Sequence, residues 1–405
     1  MERIGINKDD ILVRANSGSV CDGKKCKVLL VVRWPVGGIR TFLKYLVTFF
    51  PSDRYEFSII GSSTEGMAAL KADLGEFVAN WELIPTDGNE MRGFLSAVWN
   101  LDREHRFDLI HAHGFTSVIS CLVAALATSS PLICTSHDVL NNQQFSGISG
   151  RIKKLILGAA LLRCKLVHSV SRDAETNLLS HFPVIHHRSL VVENGVDTSS
   201  FATAVRTDLH ETFSIDPAAK LIGFFGRFMG QKGFKYLVSA IEIIQSREVH
   251  PSLHVVCFGS GAFIREEQAE IKRRGLDHCF TFAPFMADVS GAMKGCDVIA
   301  MPSLWEACPL QPMEALCAGV PFVGTNCIGL REVLDGTPAV VAEAADAESL
   351  AKGILNALNQ GREAFEEFVP QAIERFDART TAQASMICMK RFYVNAPAYL
   401  AGNEW

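Results

Sequence analysis

The stretch WEACPLQPMEALCAG, Trp305–Gly319, sets Glu306 and Glu314 eight residues apart around Pro309 and Pro312. A proline has no backbone N–H and disfavours a helix running in from before it. It is tolerated in a first turn, so a helix is predicted to start near Pro309–Pro312. Glu306 then sits in a loop and Glu314 just inside the helix. The helix start, around Cys308, Pro309 and Leu310, offers an anion-friendly end. A carboxylate only accepts hydrogen bonds and suits a pair of neighbouring hydroxyls. The arrangement fits a phosphate held between two hydroxyl-bearing groups. Taken one at a time, each glutamate has a simpler reading: Glu314 offsets the helix dipole and Glu306 is solvated.

A second charged turn is GFFGRFMGQKGF. Gly226, Gly230 and Gly233 permit a tight turn after a strand, and Arg227 and Lys232 lie on it five residues apart. An arginine fork and a lysine point charge together neutralise a diphosphate. The order of a P-loop is absent. A surface loop with two solvated cations is the alternative.

Three further stretches bear on chemistry. In FDLIHAHG, His111 and His113 share a face of a strand. His113 is read as a hydrogen-bonding group at the strand end and His111 as structural, because no third metal ligand stands nearby. His137, in CTSHD, ends the next strand. In VVRWPVGGIRTF, Gly37 and Gly38 open a helix and either let a substrate approach the backbone or form a structural turn only. In GRIKKLILGAALLRCKLVHSVS, Arg151, Lys153, Lys154, Arg163 and Lys165 flank an apolar helix. Either it covers the sheet with solvated ends or it touches an anionic membrane.

These residues need strands to carry them. KVLLVV, FSIIGS, FDLIHAHG, LICTSHD, KLVHSVS and SLVVENGV read as strands in the first half of the chain. LIGFFGR, LHVVCFGSG, CFTFAPF, CDVIAMPS, PFVGTN and AVVAEA do so in the second. The runs are continuous rather than alternating, as parallel strands covered on both faces require. Strand–helix alternation over 405 residues predicts two doubly wound α/β domains. Ligands are expected at the carboxyl ends of their strands, in a cleft between the domains. The polar stretch Asp197–Lys220 is the expected linker. The domains are expected at 27–200 and 201–379, after a polar leader over 1–26, with a C-terminal helix over 380–405 returning to the first.

Composition narrows the class. With 48% apolar and 20% charged residues and a net charge of −5, the chain is globular and no general nucleic-acid binder. No apolar run reaches membrane-span length, and the N-terminus lacks the apolar core of a signal peptide. The twelve cysteines contain no C-x-x-C pair. Cys21 and Cys26 lack a second pair to complete a metal site, and Cys257, Cys296 and Cys317 are expected as buried thiols. A reducing, cytoplasmic setting follows, with the inner face of a membrane as the variant the basic helix allows.

Together these stretches resemble the retaining group 1 glycosyltransferases of the GT-B fold, over about residues 27 to 395. GRFMGQKG resembles the family's G-R-x-x-x-x-K-G loop. MPSLWEACPLQPMEALCAGVPFVGT resembles its E-x7-E block, with Glu306 and Glu314 at the glutamate positions. VVENGVDTSSF, DLIHAHG and VHSVSRDAETNL resemble its linker entry, its D-apolar-H-x-H strand and its strand-to-serine turn at Ser171. NCIGLRE departs from the pattern, with Ile328 where the first of two paired glycines is usual. ACPL stands where GFGL is common.

The resemblance implies transfer of a sugar from a nucleoside diphosphate sugar to a saccharide or lipid-linked acceptor, with retention of configuration. The nucleotide would be held by the second domain and the acceptor by the first. Glu314 would hold the ribose diol, Glu306 would stand beside the transferred sugar, and His113 would reach that sugar from the first domain. No D-x-D pair is present, so Arg227 and Lys232 are expected to replace a metal. No cofactor is expected, the nucleotide sugar being a substrate. The alternatives are a silent nucleotide-sugar-binding subunit, an epimerase or phosphorylase on a related fold, and a dinucleotide oxidoreductase. For the last, CFGSGAF falls short of G-x-G-x-x-G at Ile264.

Overall fold

The computed structural model describes residues 24–247, 252–286 and 288–390. The expected leader up to residue 23, with Cys21, and the expected helix beyond residue 390 lie outside the described residues. The described residues divide into two units, one comprising 24–195 and 378–390, the other within Val196–Asp377.

The apolar runs become parallel strands, the interior ones buried on both faces. In the first unit these are β1 (Cys26–Val32), β2 (Tyr55–Ser62), β3 (Val78–Ile84), β4 (Leu109–His113), β5 (Leu132–Ser136), β6 (Leu166–Ser169) and β7 (Ser189–Val191). They form one sheet in the order β3-β2-β1-β4-β5-β6-β7. Between them run α1 (Gly38–Phe49), α2 (Glu65–Leu74), α3 (Glu90–His105), α4 (Phe115–Ser120), α5 (Leu122–Ala127), α6 (Gly147–Arg163) and α7 (Arg172–His181). Strand β1 shows why its sequence is unbroken. Val28, Leu30 and Val32 enter the core shared with α1, α2 and the C-terminal helix Ala378–Lys390. Leu29 and Val31 enter the opposite core, shared with α3 to α7. Each such buried side chain contributes about 1.5–3 kcal/mol.

The second unit repeats the plan with β8 (Lys220–Phe225), β9 (Leu253–Phe258), β10 (Phe280–Phe282), β11 (Val298–Met301), β12 (Phe322–Thr325) and β13 (Val340–Ala342). Their order is β10-β9-β8-β11-β12-β13. Its helices are α8 (Thr198–Thr203), α9 (Leu209–Phe213), α10 (Phe234–Gln245), α11 (Ile264–Arg273), α12 (Ser290–Gly295), α13 (Gln311–Cys317), α14 (Leu330–Leu334), α15 (Ala347–Gln360) and α16 (Glu363–Phe376).

Two expectations need correction. The polar stretch Asp197–Lys220 is not a linker but belongs to the second unit and carries two short helices. Two of its acidic residues cap those helices: the Asp197 and Asp208 carboxylates accept from the N–H groups of Ser200 and Glu211. The seventh strand of the first sheet, β3, was missed. It is an edge strand whose interior positions are mostly exposed, so VANWELI carries no apolar run. At the ends of the second unit, the Val196 N–H donates to Phe376 O at 2.8 Å, which holds the outgoing and returning chain side by side.

In both sheets the strand order reverses beside the first strand, between β1 and β4 and between β8 and β11. Crevices at such switch points are where open α/β sheets bind ligands.

Candidate functional site

In the second unit, the turn after β8 is anchored by Phe228, fully buried against Phe224, Phe234 and Phe282. This anchor turns the neighbouring Arg227 outward, where it is exposed. Gly233 has φ +62°, and a Cβ there would lie 2.1 Å from Pro302 O. Only glycine therefore lets this turn close onto the end of β11.

The two turns are then joined. Leu304 N–H donates to Gln231 O at 2.8 Å, and Gln231 Nε2 donates to Trp305 O at 2.8 Å. Lys232 Nζ lies 2.7 Å from Glu306 Oε1, which also accepts from the buried Ser303 hydroxyl at 2.7 Å. Glu306 sits in the loop, as expected, and is nearly buried. Behind it, Gly329 has φ +76° and a Cβ position 2.1 Å from Glu306 O. Glu306 N–H donates to Ile328 O at 3.0 Å. In NCIGLRE, the single remaining glycine is the one that backs the Glu306 loop.

Helix α13 starts at Gln311, with Pro312 next, as the proline spacing predicts. Glu314 lies in its first turn and is half-buried. Desolvation lifts its carboxyl to about 7. Among the described residues no ion pair involves it. Cys308, Pro309 and Leu310 are buried, so their side chains bring no polar group to a ligand. Ser303 and Gln231 were not singled out from sequence, although both stand inside the charged motifs. The glycines of CFGSGAF serve packing: Cβ atoms at Gly259 and Gly261 would fall 2.0 Å from Gly226 O and 2.5 Å from Phe228 N. That loop supports the Arg227 turn.

In the first unit, the carboxyl ends of β4, β5 and β6 gather four histidines. His113 Nδ1 lies 3.2 Å from His137 Nε2. The rings of His111 and His113 are 4.1 Å apart, on one face as the alternation requires. His168 Nε2–H donates to Val192 O at 2.8 Å. In a neutral ring its Nδ1 must then accept, so the Thr135 hydroxyl donates to it at 3.1 Å. The Thr135 oxygen in turn accepts from His111 Nε2–H at 2.7 Å. This relay leaves His111 Nδ1 buried without a partner, as is His113 Nε2. Burial pushes all four rings down, His111 and His113 well below the usual range, His137 to about 3 and His168 to about 4. Neighbouring histidines add to the effect for the first three. Phe42 packs against His113, His137 and His168.

At the end of β1, Gly37 caps α1 with φ 57°. A Cβ on Gly38 would meet nothing within 4 Å, so space is open above it. Beside this turn, Arg33 NH2 pairs with Glu90 Oε2 at 2.5 Å, and the Ser62 hydroxyl donates to the same carboxylate. The Arg33 hydrogen bond, more than the Ser62 one, holds Glu90 below the usual carboxylate range. Sequence reading missed this group, as it missed Thr135 and His168. Among the described residues no set of three histidines, cysteines or carboxylates is arranged to hold a metal ion. Cys257, Cys296 and Cys317 are buried free thiols.

Two doubly wound parallel sheets, each with its motif residues at the switch point, define a GT-B protein. Two family models match, Glycosyltransferase Family 4 over residues 36–200 and Glycosyl transferases group 1 over residues 219–360. The chain belongs to the group 1 glycosyltransferases, enzymes that use nucleotide sugars. It is 27% identical over 335 residues to the D-inositol 3-phosphate glycosyltransferase of Arthrobacter sp. (strain FB24), spanning 76% of this chain and 78% of that one. It is 24% identical over 257 residues to the UDP-Gal:alpha-D-GlcNAc-diphosphoundecaprenol alpha-1,3-galactosyltransferase of Escherichia coli, spanning 61% and 66%. Among solved structures, HepE of Anabaena in complex with UDP and glucose superimposes with a TM-score of 0.77 at 21% identity, covering 90% of this chain and all (100%) of that one.

Proposed function

We propose that the protein transfers a sugar from a nucleoside diphosphate sugar to a saccharide or lipid-linked hydroxyl, with retention of configuration and without a divalent metal. The observation that carries this reading is the charged cluster at the β8–β11 switch point: exposed Arg227, the Lys232–Glu306 pair and Glu314 in the first turn of α13. The cluster supplies two cations for a departing diphosphate. Lys232 is held by Glu306 until a diphosphate competes for it. Glu314 is free to accept from a ribose diol. The bond from the anomeric carbon to the diphosphate oxygen breaks, and the acceptor oxygen bonds that carbon on the same face. The departing diphosphate takes the acceptor proton. His113, neutral and with an unpartnered ring nitrogen, reaches the transferred sugar as a hydrogen-bonding group from the acceptor side. Gly37 and Gly38 leave room there, and His137 sets His113 in place.

The support lies in the family match and in relatives named for UDP-sugar donors and a lipid-linked acceptor. A synthesis role for a polysaccharide or glycolipid follows from the same reading, with the protein working in the cytoplasm. The test is a thermal-shift screen of nucleotide sugars on the purified protein, followed by transfer assays with the best binder. A donor that stabilises the protein, and a product whose anomeric signals match the donor's, is the expected result with chelator present. NAD binding without nucleotide-sugar binding overturns the reading. Activity abolished by chelator and restored by magnesium or manganese removes its metal-free part.

A further inference from the structure

Helix α6, Gly147–Arg163, is apolar on two opposite sides. One side is buried at Gly150, Leu157, Ala160 and Leu161 in the core of the first unit. The other presents Ile148, Ile152, Leu155, Ile156 and Leu162, which are 80, 51, 74, 41 and 44% exposed. At about 100° per residue these five form one continuous face, centred opposite the buried one. A helix that is hydrophobic all round is normally covered all round. Arg163 donates to Ala125 O at 2.8 Å, which ties the end of α6 to α5 with its exposed Val123 and Leu126. The apolar surface therefore extends beyond one helix.

The charges around this face have one sign. From Val139 to Arg172 the sequence holds Arg151, Lys153, Lys154, Arg163, Lys165 and Arg172 and no aspartate or glutamate, in a chain whose net charge is −5. Exposed Arg151 and Lys153 flank the apolar stripe on its two sides. A second copy seated here would set cation against cation, with no acidic residue in the segment to answer it. The C-terminal helix of this chain packs into the core on the other face of the sheet. A surface that is apolar inside and anionic outside complements both features.

We propose that α6 docks the first unit onto an anionic lipid bilayer. The stripe from Ile148 to Leu162 enters the boundary between headgroups and acyl chains, and Arg151, Lys153 and their basic neighbours meet the lipid phosphates. Helix α6 follows β5, so it begins at the sheet edge that carries His113 and His137. The inference does not depend on sugar transfer, because it is read without any substrate.

The experiment is co-sedimentation of the full chain with vesicles of phosphatidylglycerol and phosphatidylcholine, against phosphatidylcholine alone. The wild type is expected to sediment with the anionic vesicles. Ile152→Glu with Leu155→Glu is expected to weaken binding more than about ten-fold. Arg151→Glu with Lys153→Glu is expected to lose at least about five-fold per site, and the wild-type binding is expected to fall with salt. All four positions are exposed, so melting temperatures should hold. Val205→Glu, at an 86% exposed valine in the second unit, is the control that should bind as wild type does. A wild type that stays in the supernatant, or stripe variants that bind unchanged, overturns the proposal. So does a lipid-free dimer that the Ile152→Glu, Leu155→Glu variant dissolves, since the stripe would then belong to a second copy.

Discussion

The two units present their candidate residues at the same edge of the same kind of sheet, yet in contrasting electrostatic settings. At the carboxyl ends of β4 to β6, the first unit gathers histidines that burial keeps neutral, around a phenylalanine, and the Arg33–Glu90 ion pair stands apart at the end of β1. At the β8–β11 switch, the second keeps charge: one ion pair, one exposed arginine and one lone carboxyl. A departing diphosphate needs preorganised positive charge. On the proposed reading, a transferred sugar needs a hydrogen-bonding group that stays neutral at neutral pH. The doubly wound sheet dictates neither; the loops at its carboxyl edge do.

The contrast predicts opposite responses to pH, and acid should give the largest effect. The four histidines have folded values below their unfolded 6.5, with His137 near 3 and His168 near 4. Such groups contribute stability that is complete above 6.5 and is lost as pH falls through the folded values. Each proton taken up on unfolding adds a slope of about 1.4 kcal/mol per pH unit. Hydrogen exchange followed from pH 7 to 4 should show amides of β4 to β6 losing protection before those of β8, β9 and β11. Simultaneous loss in both units would mean the cluster is not what limits acid stability.

Next in size is the Lys232–Glu306 pair, which ties the two charged turns of the second site together. Lys232→Ala strands a nearly buried carboxylate. Its cost in stability should fall toward the low end of about 3–5 kcal/mol, because the Lys232 and Glu306 side chains keep 17% and 9% exposure. kcat/KM should fall about 100-fold. Adding Glu306→Gln should return most of the stability and none of the activity. Glu306→Gln alone should cut kcat while nucleoside diphosphate affinity holds or improves, since Lys232 is released. Additive stability changes in the double variant would show that the pair is not coupled.

Arg227 sharpens the comparison from the exposed side. Arg227→Ala should weaken nucleoside diphosphate binding about ten-fold and leave the melting temperature unchanged, because Phe228 rather than Arg227 anchors the turn. Calorimetry and a thermal melt check the two halves. A destabilised variant with normal affinity would make Arg227 a structural residue.

What sequence could reveal follows from how local each feature is. Interior strands, buried on both faces, write uninterrupted apolar runs, and the short edge strands β7, β10 and β13 adjoin apolar residues, so twelve of the thirteen strands were legible; edge strand β3, mostly exposed and mixed in sequence, was not. Asp197 and Asp208 look like linker polarity because capping and solvation use the same residues. The charged turns of the second unit were legible because glycines and charges there are neighbours in sequence. The histidine relay was not. Thr135 is the register partner of His113 on one side and of His168 on the other, a relation no spacing within one segment contains. Likewise Glu90 reaches Arg33 across 57 residues.

The smallest effect should come from Glu314, and it runs opposite to the histidines. Its folded value is about 7, above the unfolded 4.5, through desolvation. The native state therefore holds this proton more tightly. Its contribution to stability is complete below 4.5 and is lost as pH rises through 7. Glu314→Gln removes the titrating group, so the variant should match the wild type at pH 4 and melt higher at pH 8. Binding should run the other way. The ionised carboxylate is the better acceptor for a diol, so wild-type nucleoside diphosphate affinity should rise between pH 6 and 8 while the variant's stays flat. At pH 8 the variant should bind about five-fold more weakly, the worth of about one hydrogen bond, with kcat little changed, as for an interaction shared by ground and transition states. Equal melting at pH 8 would mean that Glu314 ionises without penalty. Equal affinity at both pH values would mean that it does not touch the nucleotide, and the eight-residue spacing to Glu306 would then record only how a helix starts after two prolines.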